Sequence, residues 1–280
     1  MSFPTGPWIK FLGTGGGRYV MTRQIRYTAG FWIGYRKVYV HVDPGPGALI
    51  RCHASRPRLD PEKLSAIVVT HRHIDHANDA SVMIEAMTRF GTRRRGRLIA
   101  PADTFEPASI YFNHVLDFLE VPPTRMQPGV VVDFGGLKLT VALRHRHPVE
   151  TYGVIFEAGG LRIAYITDTA YFEGLIRAYR GMDVAIINCT LYEPRDGVEH
   201  LSLGETFELI MNIRPRMVFL THFGGSMIRA RPWAIFEEWT TQLGVPVIPA
   251  SDGRFFDLPM VLASTQPMMS DAGSDNMKGK

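Results

Sequence analysis

Residues 68–79, VVTHRHIDHAND, constrain the fold more than any other stretch of the chain. Three histidines and one aspartate occur within six positions, directly after an apolar run with the composition of a short buried strand. A helical spacing of apolar residues begins immediately afterwards, so the cluster lies at a strand-to-helix turn. Imidazole and carboxylate groups crowded at a turn are the ligands that zinc and similar divalent ions prefer. The members of the cluster are His71, His73, Asp75 and His76.

Composition and charge place the chain among ordinary globular proteins. Hydrophobic residues make up 45% and charged residues 21% of the 280 residues, and the net charge is +4. This mild basic excess permits an anionic substrate without requiring nucleic acid. The N-terminus has no secretory pattern and no apolar run is long enough to span a bilayer, so we expect a cytoplasmic protein without a membrane span. The two cysteines are far apart, which favours neither a disulfide framework nor a cysteine zinc site.

The periodicity of apolar residues predicts a sheet-rich chain in two similar halves. Each half runs from a β-meander into alternating strands and helices. Two such sheets can pack face to face with helices outside, so we expect an α/β (α+β) fold, a four-layer αββα sandwich. No Gly/Ser/Pro linker separates the halves, and we therefore expect one domain over residues 1–263 and a disordered tail over 264–280. The predicted helices cover residues 46–54, 75–90, 103–119, 202–213 and 232–243.

Three more ligand-type residues follow apolar runs later in the chain. His147 extends the run LTVALRH, Asp168 closes LRIAYITD and His222 closes RMVFLTH. Strand ends are where open sheets gather functional side chains, so we expect these residues to meet the histidine cluster. His145 competes with His147 for the ligand role, because alternation along a strand places both on one face.

The pattern HxHxDH with a downstream His, Asp and His resembles the metallo-β-lactamase superfamily. The segments FLGTGGG, HVDPG, VVTHRHIDH, HPVETYG, YITDTA, HLSLGE and FLTHFG are similar, in order, to those of the ribonuclease Z group and its phosphodiesterase relative PhnP. The resemblance implies two divalent ions and a bridging hydroxide. It assigns one ion to His71, His73 and His147 and the other to Asp75, His76 and His222, with Asp168 bridging both.

The same resemblance implies roles for residues around the ions. His147 is preferred to His145 because its spacing to Gly153 matches the family pattern, which leaves His145 as a substrate contact or a hydrogen-bonded neighbour. Asp75 and His200 are the implied catalytic residues. His200 would donate a proton to the leaving alkoxide, and the alternative is a histidine that merely flanks a helix. Asp43 in HVDPG would orient a metal-binding histidine, or serve only as a turn residue.

Arginines and loop lengths bear on the substrate. Arg18, Arg93 and Arg94 are candidate phosphate contacts, with a solvated basic loop as the alternative for the latter two. Long-form ribonuclease Z enzymes carry an arm that grips transfer RNA between the third histidine motif and the bridging aspartate, whereas only 20 residues separate His147 from Asp168 here. The cysteines of the accessory zinc site of PhnP are also absent from residues 1–51.

We therefore predict a metal-dependent phosphodiesterase that hydrolyses a small or cyclic phosphodiester and forms a homodimer. Zinc is the favoured metal, with manganese or iron as alternatives. A ribonuclease Z-type endonuclease would instead bind nucleic acid through the arginine loop, and this partner is not favoured. A glyoxalase-type thioester or lactone hydrolase should not need His200. A non-catalytic binding or carrier protein fits least, because the full ligand set is present. The glycine-rich stretch 13–18 lacks the spacing of a nucleotide-binding loop, and we interpret it as a tight turn.

Overall fold

The computed structural model describes residues 3–264, and its strands and helices alternate in both halves of that range. The strands are β1 (Trp8–Phe11), β2 (Phe31–Tyr35), β3 (Val38–Val42), β4 (Ala66–Val68), β5 (Arg97–Ala100), β6 (Thr124–Arg125), β7 (Val131–Asp133), β8 (Leu137–Arg144), β9 (Tyr152–Ala158), β10 (Leu161–Ile166), β11 (Val184–Asn188), β12 (Met217–Thr221), β13 (Val247–Pro249) and β14 (Phe255–Asp257). The α-helices are α1 (Gly17–Arg23), α2 (Ala48–Ala54), α3 (Ile74–Ala77), α4 (Ala80–Met87), α5 (Asn113–Leu116), α6 (Glu173–Tyr179), α7 (Leu203–Ile213), α8 (Gly225–Ala230), α9 (Trp233–Leu243) and α10 (Leu258–Ser264).

These strands form two seven-stranded sheets. The first has the order β14-β1-β2-β3-β4-β5-β6 and the second the order β13-β12-β11-β10-β9-β8-β7. The predicted meander is confirmed, because β7, β8, β9 and β10 pair antiparallel in sequence. Along β8 every second residue from Leu137 to Val141 is fully buried, the alternation expected of a strand with one face toward the core.

The sheets pack face to face, and helices cover their outer faces. One apolar cluster joins Phe11 and Val40 of the first sheet to Phe156 and Phe219 of the second. A second cluster packs α2 and α4 onto the first sheet, and a third packs α6, α7 and α9 onto the second. Apolar residues on both faces of each sheet therefore produce the αββα sandwich that the sequence predicts.

Strand direction explains where functional side chains can meet. In the first sheet β3, β4 and β5 run parallel, and in the second β10, β11 and β12 run parallel. Asp43 follows β3 and the His71–His76 turn follows β4, while Asp168 follows β10 and His222 follows β12. The carboxyl ends of both parallel groups thus carry polar residues.

Several predicted elements differ from the structure. The helix predicted over 75–90 is divided into α3 and α4, with Asn78 and Asp79 between them. The helix predicted over 103–119 is wrong: this segment contains a 3-10 turn at Ala102–Thr104 and the single turn α5. Pro107 supplies no N–H and disfavours helical backbone before it, which explains the interruption.

Elements at both ends of the chain were not predicted. Helix α1 begins within the stretch 13–18 interpreted as a tight turn and continues to Arg23, and β14 returns from the C-terminal segment to pair with β1. The disordered tail predicted over 264–280 begins at the last residue of α10, and residues 265–280 lie outside the described residues. Among residues 3–264, no helix is long and apolar enough to cross a membrane.

Candidate metal centre

The ligand-type residues predicted from separate parts of the chain lie together. Their nitrogen and oxygen atoms fall into overlapping groups of three, in which all atoms are within 4.8 Å of one another. The structure thus brings together every predicted metal ligand and also His200. The groups are His71/His73/His147, His71/His76/Asp168, Asp75/His76/His222 and His147/Asp168/His200.

The first half of the centre is one compact turn. His71 follows β4 and is fully buried, and His73 is the residue before α3. Asp75 and His76 lie in α3, whose first turn is closed by a hydrogen bond from the His76 N–H to the His73 carbonyl, 3.0 Å. An extended segment that turns directly into a helix therefore points four side chains at one small volume.

The carboxylate of Asp168 lies between the two groups of histidines. Its Oδ2 is 3.7 Å from His71 Nε2 and 3.4 Å from His76 Nε2. Its Oδ1 is 3.2 Å from His222 Nδ1 and accepts a hydrogen bond of 2.8 Å from the Asn188 side-chain amide. A buried carboxylate shared in this way is placed to bridge two cations.

The glycine-rich loop forms a wall of the centre. The Gly17 N–H donates to Asp75 Oδ2 at 2.8 Å, and the Gly16 N–H donates to the Phe223 carbonyl at 3.2 Å. A side chain at Gly16 would occupy the position of the His222 ring. The loop is therefore not only a tight turn, because its backbone orients Asp75 and leaves space for His222.

Asp43 is a buried hydrogen-bond acceptor that positions residues of the centre. Its Oδ2 accepts hydrogen bonds from His76 Nδ1 at 2.9 Å and from Tyr165 OH at 3.0 Å. The Thr70 N–H and hydroxyl also donate to this carboxylate, at 2.7 and 2.8 Å. Asp43 and His222 both have left-handed backbone, with φ of 52° and 58°, which is unusual outside glycine and often occurs at functional sites.

The hydrogen bonds assign which ring nitrogens face inward. A carboxylate only accepts, so His76 Nδ1 donates to Asp43 and the lone pair of the neutral ring is on Nε2. His147 Nδ1 lies 3.0 Å from the Glu199 carbonyl, which likewise leaves its Nε2 with a lone pair. His71 Nε2 is buried and has no hydrogen-bond partner. Ring nitrogens that converge in this way, with His76 Nε2 only 2.9 Å from His222 Nε2, are the arrangement that divalent cations satisfy, and this donor set fits two of them.

The electrostatics of the centre agree with this assignment for His71 and His147. Burial, together with the charge of His76, holds the pKa of His71 well below its usual range, and burial lowers the pKa of His147 to about 4. Burial also opposes the charge of His76, but the carboxylates of Asp168, Asp75 and Asp43 raise its pKa well above the usual range. Burial thus keeps His71 and His147 in the neutral form that coordinates metal, whereas the three carboxylates favour the charged form of His76 until a cation replaces its proton.

His200 lies on the open side of the centre, three residues before α7. Ser202 and Glu205 form a capping box at the start of this helix. The His200 ring is 5.1 Å from the His147 ring, and its Nδ1 is 3.6 Å from Asp168 Oδ2. Burial lowers the pKa of His200, and the Asp168 carboxylate opposes that effect.

A cleft of about 1470 Å³ opens beside the centre. His73, Asp75, His147, Asp168 and His200 all lie along it, so the centre is open to a substrate. Arg18 also lines the cleft, as expected of a phosphate contact, and its charge lowers the pKa of His73 after the larger effect of burial.

Three predicted substrate contacts lie elsewhere. Arg93 and Arg94 are exposed residues shortly before β5, at the end of the first sheet opposite the centre, which corrects their prediction as substrate contacts. His145 is also corrected, because it is buried away from the cleft. Its Nε2 is 2.9 Å from Tyr179 OH and its Nδ1 is 3.3 Å from the Asp168 carbonyl.

Some residues of the site were not predicted from the sequence. Asn188 ends β11 and binds Asp168, and its position after an apolar strand is a signal that could have identified it. The Thr190 hydroxyl lies 2.9 Å from His222 Nδ1. Arg195 and Arg229 line the cleft from a loop and from α8, and no pattern in the sequence distinguishes them from other exposed arginines.

Comparison with known proteins agrees with the fold and the centre. The family model of the beta-lactamase superfamily domain matches residues 39–223. An uncharacterized protein of Methanocaldococcus jannaschii, MJ1374, is 28% identical over 89% of this chain and 94% of its own length. A ribonuclease Z of Kineococcus radiotolerans is 31% identical over 62% of this chain and 59% of its own.

Solved structures show the same fold at low sequence identity. The metallo-beta-lactamase fold protein YhfI of Bacillus subtilis has a TM-score of 0.71 and 20% identity, covering 90% of this chain and 99% of its own. A diphosphatase of the PhnP family has a TM-score of 0.66 and 20% identity, covering 89% and 96%. The chain belongs to the beta-lactamase superfamily, and it is a metal-dependent hydrolase with the metallo-β-lactamase fold.

Proposed function

We propose that this hydrolase is a phosphodiesterase that acts on a small or cyclic phosphodiester. The observation that carries the proposal is the position of Asp168, whose carboxylate oxygens lie within 3.7 Å of nitrogens on His71, His76, His200 and His222. A carboxylate at the junction of two histidine groups supports a dinuclear site.

The groups of close atoms support two ligand sets. We propose that one ion is held by His71, His73 and His147 and the other by Asp75, His76 and His222, with Asp168 shared. Zinc is the proposed metal, and manganese or iron are alternatives that the same His and Asp donors accept. When bound, such a pair of ions would lower the pKa of an attacking water and offset the charge of the phosphate oxygens.

The protein's own residues have separate tasks in this proposal. Asp75 is held in place by the Gly17 N–H, so its carboxylate has a fixed position beside the reacting phosphate. His200 faces the cleft next to His147 and Asp168, and we assign it the proton transfer to the leaving alkoxide. Arg18, also on the cleft, would bind a phosphate oxygen through its guanidinium.

The loop between the two halves of the site supports a small substrate over transfer RNA. The residues between His147 and Asp168 form a short loop and the β9–β10 hairpin, whose strands pair from Ala158↔Leu161 onward. This leaves no extra segment for an arm that grips RNA. Ribonuclease Z activity stays the second candidate, because a relative of that name is 31% identical over part of the chain.

We also propose that residues 1–263 form one domain, because both sheets contribute to one core and to one site. The homodimer and the cytoplasmic location stay predictions.

The test is hydrolysis by protein reconstituted with zinc or manganese, with two substrates compared. Bis(p-nitrophenyl) phosphate has a good leaving group, whereas a nucleoside 2′,3′-cyclic phosphate releases a poor alkoxide. Asp168→Ala should abolish turnover of both. His200→Ala should reduce the second rate on the order of 10²-fold or more and the first much less, because only the alkoxide needs a proton.

His53→Ala is the matched control. His53 is exposed, lies on α2 and should tolerate the change without loss of rate. Absence of turnover with both substrates at full metal content would contradict the proposal and would direct the search to thioesters and lactones. An equal loss on both substrates in His200→Ala would remove the assignment of His200 as the acid.

A further inference from the structure

The end of the first sheet opposite the metal centre carries a concentration of positive charge. Strands β3, β4 and β5 run parallel, with Val40 beside Ala66 and Ala66 beside Arg97. The residues that precede these strands therefore lie side by side at one end of the sheet. We call this surface the basic edge, and it consists of Arg36, Lys37, Lys63, Arg93, Arg94 and Arg97.

The loop that carries Arg93 and Arg94 is held in a fixed shape. Its backbone is closed by a hydrogen bond of 3.0 Å from the Arg93 N–H to the Thr88 carbonyl. Arg95, between this loop and β5, donates from its side chain to the carbonyls of Leu64 and Lys63, at 3.0 and 3.1 Å. Arg95 thus connects the loop to the segment before β4, while Arg93 and Arg94 are exposed.

The charges of the basic edge are largely uncompensated. Within residues 3–264, no carboxylate lies within 4.0 Å of the charged groups of Arg36, Lys37, Arg93, Arg94 or Arg97, and the one such contact of Lys63 is 3.9 Å long, to Asp60. Arg89, Arg125 and Arg216 each pair with a carboxylate, whereas other exposed arginines such as Arg23 and Arg180 have no carboxylate within 4.0 Å among the described residues. Glu120, whose N–H binds the Gly96 carbonyl, is an acidic residue close to this surface, and Asp60, Glu62 and Glu85 line a hollow together with Lys63 and Phe90.

An exposed aromatic ring accompanies the charges. Phe90 is 75% exposed and begins the loop that leads to Arg93. Arg89 and Phe90 both have left-handed backbone, with φ of 51° and 48°, a conformation that costs free energy in residues with a side chain. The Phe90 N–H donates to the Glu85 carbonyl at 2.7 Å, which fixes the backbone at this position.

We propose that the basic edge binds single-stranded nucleic acid, with the phosphate backbone along the arginines and a base stacked on Phe90. Guanidinium groups pair with phosphates, and an exposed ring next to them is the combination by which proteins bind single strands without sequence preference. An acidic protein would use the charges but would gain little from an isolated aromatic ring. This surface is separate from the cleft, so the inference goes beyond the phosphodiesterase proposed above.

The test is fluorescence anisotropy of a labelled 2′-O-methyl oligouridylate of about 12 nucleotides, titrated with full-length zinc-loaded protein from about 50 mM salt upward. Arg93→Gln/Arg94→Gln should weaken binding about tenfold or more. It should also lower the slope of log affinity against log salt by about 1.4, since each phosphate contact contributes about 0.7 for a single strand. Phe90→Ala should weaken binding several-fold without a change in slope.

Two further variants distinguish this surface from others. Arg177→Gln/Arg180→Gln removes the same charge from α6 and its end, and should leave the affinity within about twofold. Arg195→Gln/Arg229→Gln probes the cleft. A loss confined to the cleft variant would overturn the proposal, as would equal losses in all three double variants or no binding at low salt. Competition by poly-aspartate, combined with no effect of Phe90→Ala, would assign the surface to an acidic protein instead.

Discussion

The turn from His71 to His76 and the dispersed residues of the second half build one centre in different ways. The turn contributes four side chains from six positions, and the carboxylate of Asp43 supports it through Thr70 and His76. The second half contributes single residues from separate strand ends, each with its own support. His147 contacts the Glu199 carbonyl, Asp168 the Asn188 amide, and His222 the Thr190 hydroxyl.

This difference determines how the two regions should respond to mutation. Loss of a shared support should affect several ligands together, whereas loss of an individual support should affect one. The glycine-rich loop is the exception, because it contacts both regions through Asp75 and His222. Substitutions at these supports therefore test whether the two regions differ in this way.

The largest effect is expected at Gly16, where the two regions meet. In Gly16→Ala the added methyl group would overlap the His222 ring, so the ring or the loop has to move. A displacement of about 1 Å in a catalytic site can cost on the order of 10²-fold in rate, and we expect a loss of kcat/KM of that size. The measurement is phosphodiester hydrolysis together with the metal content per chain.

Gly204→Ala is the control for this substitution. Gly204 lies in α7 with no atom within 4 Å of an added methyl group, and alanine favours helix more than glycine does. It should keep the rate and slightly raise the stability. If Gly16→Ala retained both its rate and its metal content, the loop would not be the link between the regions.

A smaller and collective effect is expected at Asp43. Asp43→Asn replaces an acceptor of several hydrogen bonds by a group that is half donor, so Thr70, His76 and Tyr165 cannot all be satisfied. Support residues of this kind typically contribute 10–100-fold to metal affinity, and we expect a loss in that range for both ions. Competition with a chelator measures the metal affinity.

Asp60→Asn is the matched control, because Asp60 accepts from the Glu62 N–H at the start of a surface 3-10 turn. Its metal affinity should be unchanged. A loss at only one of the two ions in Asp43→Asn would show that the turn is not supported as a unit.

An individual effect is expected at Asn188, the support of one residue in the second half. Asn188→Ala removes the amide that donates to Asp168 Oδ1 but keeps the contacts of Asp168 with His71, His76 and His222. We expect about a tenfold loss of rate, at the lower end of the range for support residues. Asn212→Ala, on the exposed face of α7, is the control. If Asn188→Ala lost as much activity as Asp43→Asn does, the distinction between shared and individual supports would be contradicted.

The comparison also explains which parts of the site could be predicted. The turn is visible in the sequence because its ligands are close in number, and His147, Asp168 and His222 are visible because each follows an apolar strand. Their supports depend on which strands are neighbours. Asn188 also ends an apolar strand, but its contact with Asp168 depends on the placement of β11 beside β10, which no local pattern predicts.

The incorrect predictions have the same origin. His145 and His147 are two residues apart, yet the first is buried against Tyr179 and the second faces the cleft, because β8 ends at Arg144 and strand alternation no longer applies. Arg93 and Arg94 were expected near phosphate on charge alone. Charge does not reveal the end of the sheet on which a residue lies, whereas the parallel pairing of β4 and β5 does.

The smallest effect on activity, with a clear effect on stability, is expected at His41. This histidine of β3 is fully buried, its Nε2 contacts the Ala29 carbonyl at 2.9 Å, and burial lowers its pKa to about 4. In the unfolded chain the pKa is about 6.5, so below that pH the unfolded state binds a proton that the native state does not. The contribution of His41 to the free energy of unfolding is therefore fully present above pH 6.5 and is lost as the pH falls toward about 4.

The loss should amount to about 3 kcal/mol, the difference between the two pKa values expressed as free energy. Urea unfolding of the wild type and of His41→Gln from about pH 7.5 to about pH 4 measures it, and the wild type should show the steeper decline. Both proteins release metal in acid, so this effect is removed when their free energies of unfolding are subtracted. Parallel declines would mean that His41 becomes protonated within the native state. The first sheet would then lack a buried neutral histidine comparable to His145, which directly follows β8 of the second sheet and whose pKa burial also lowers to about 4.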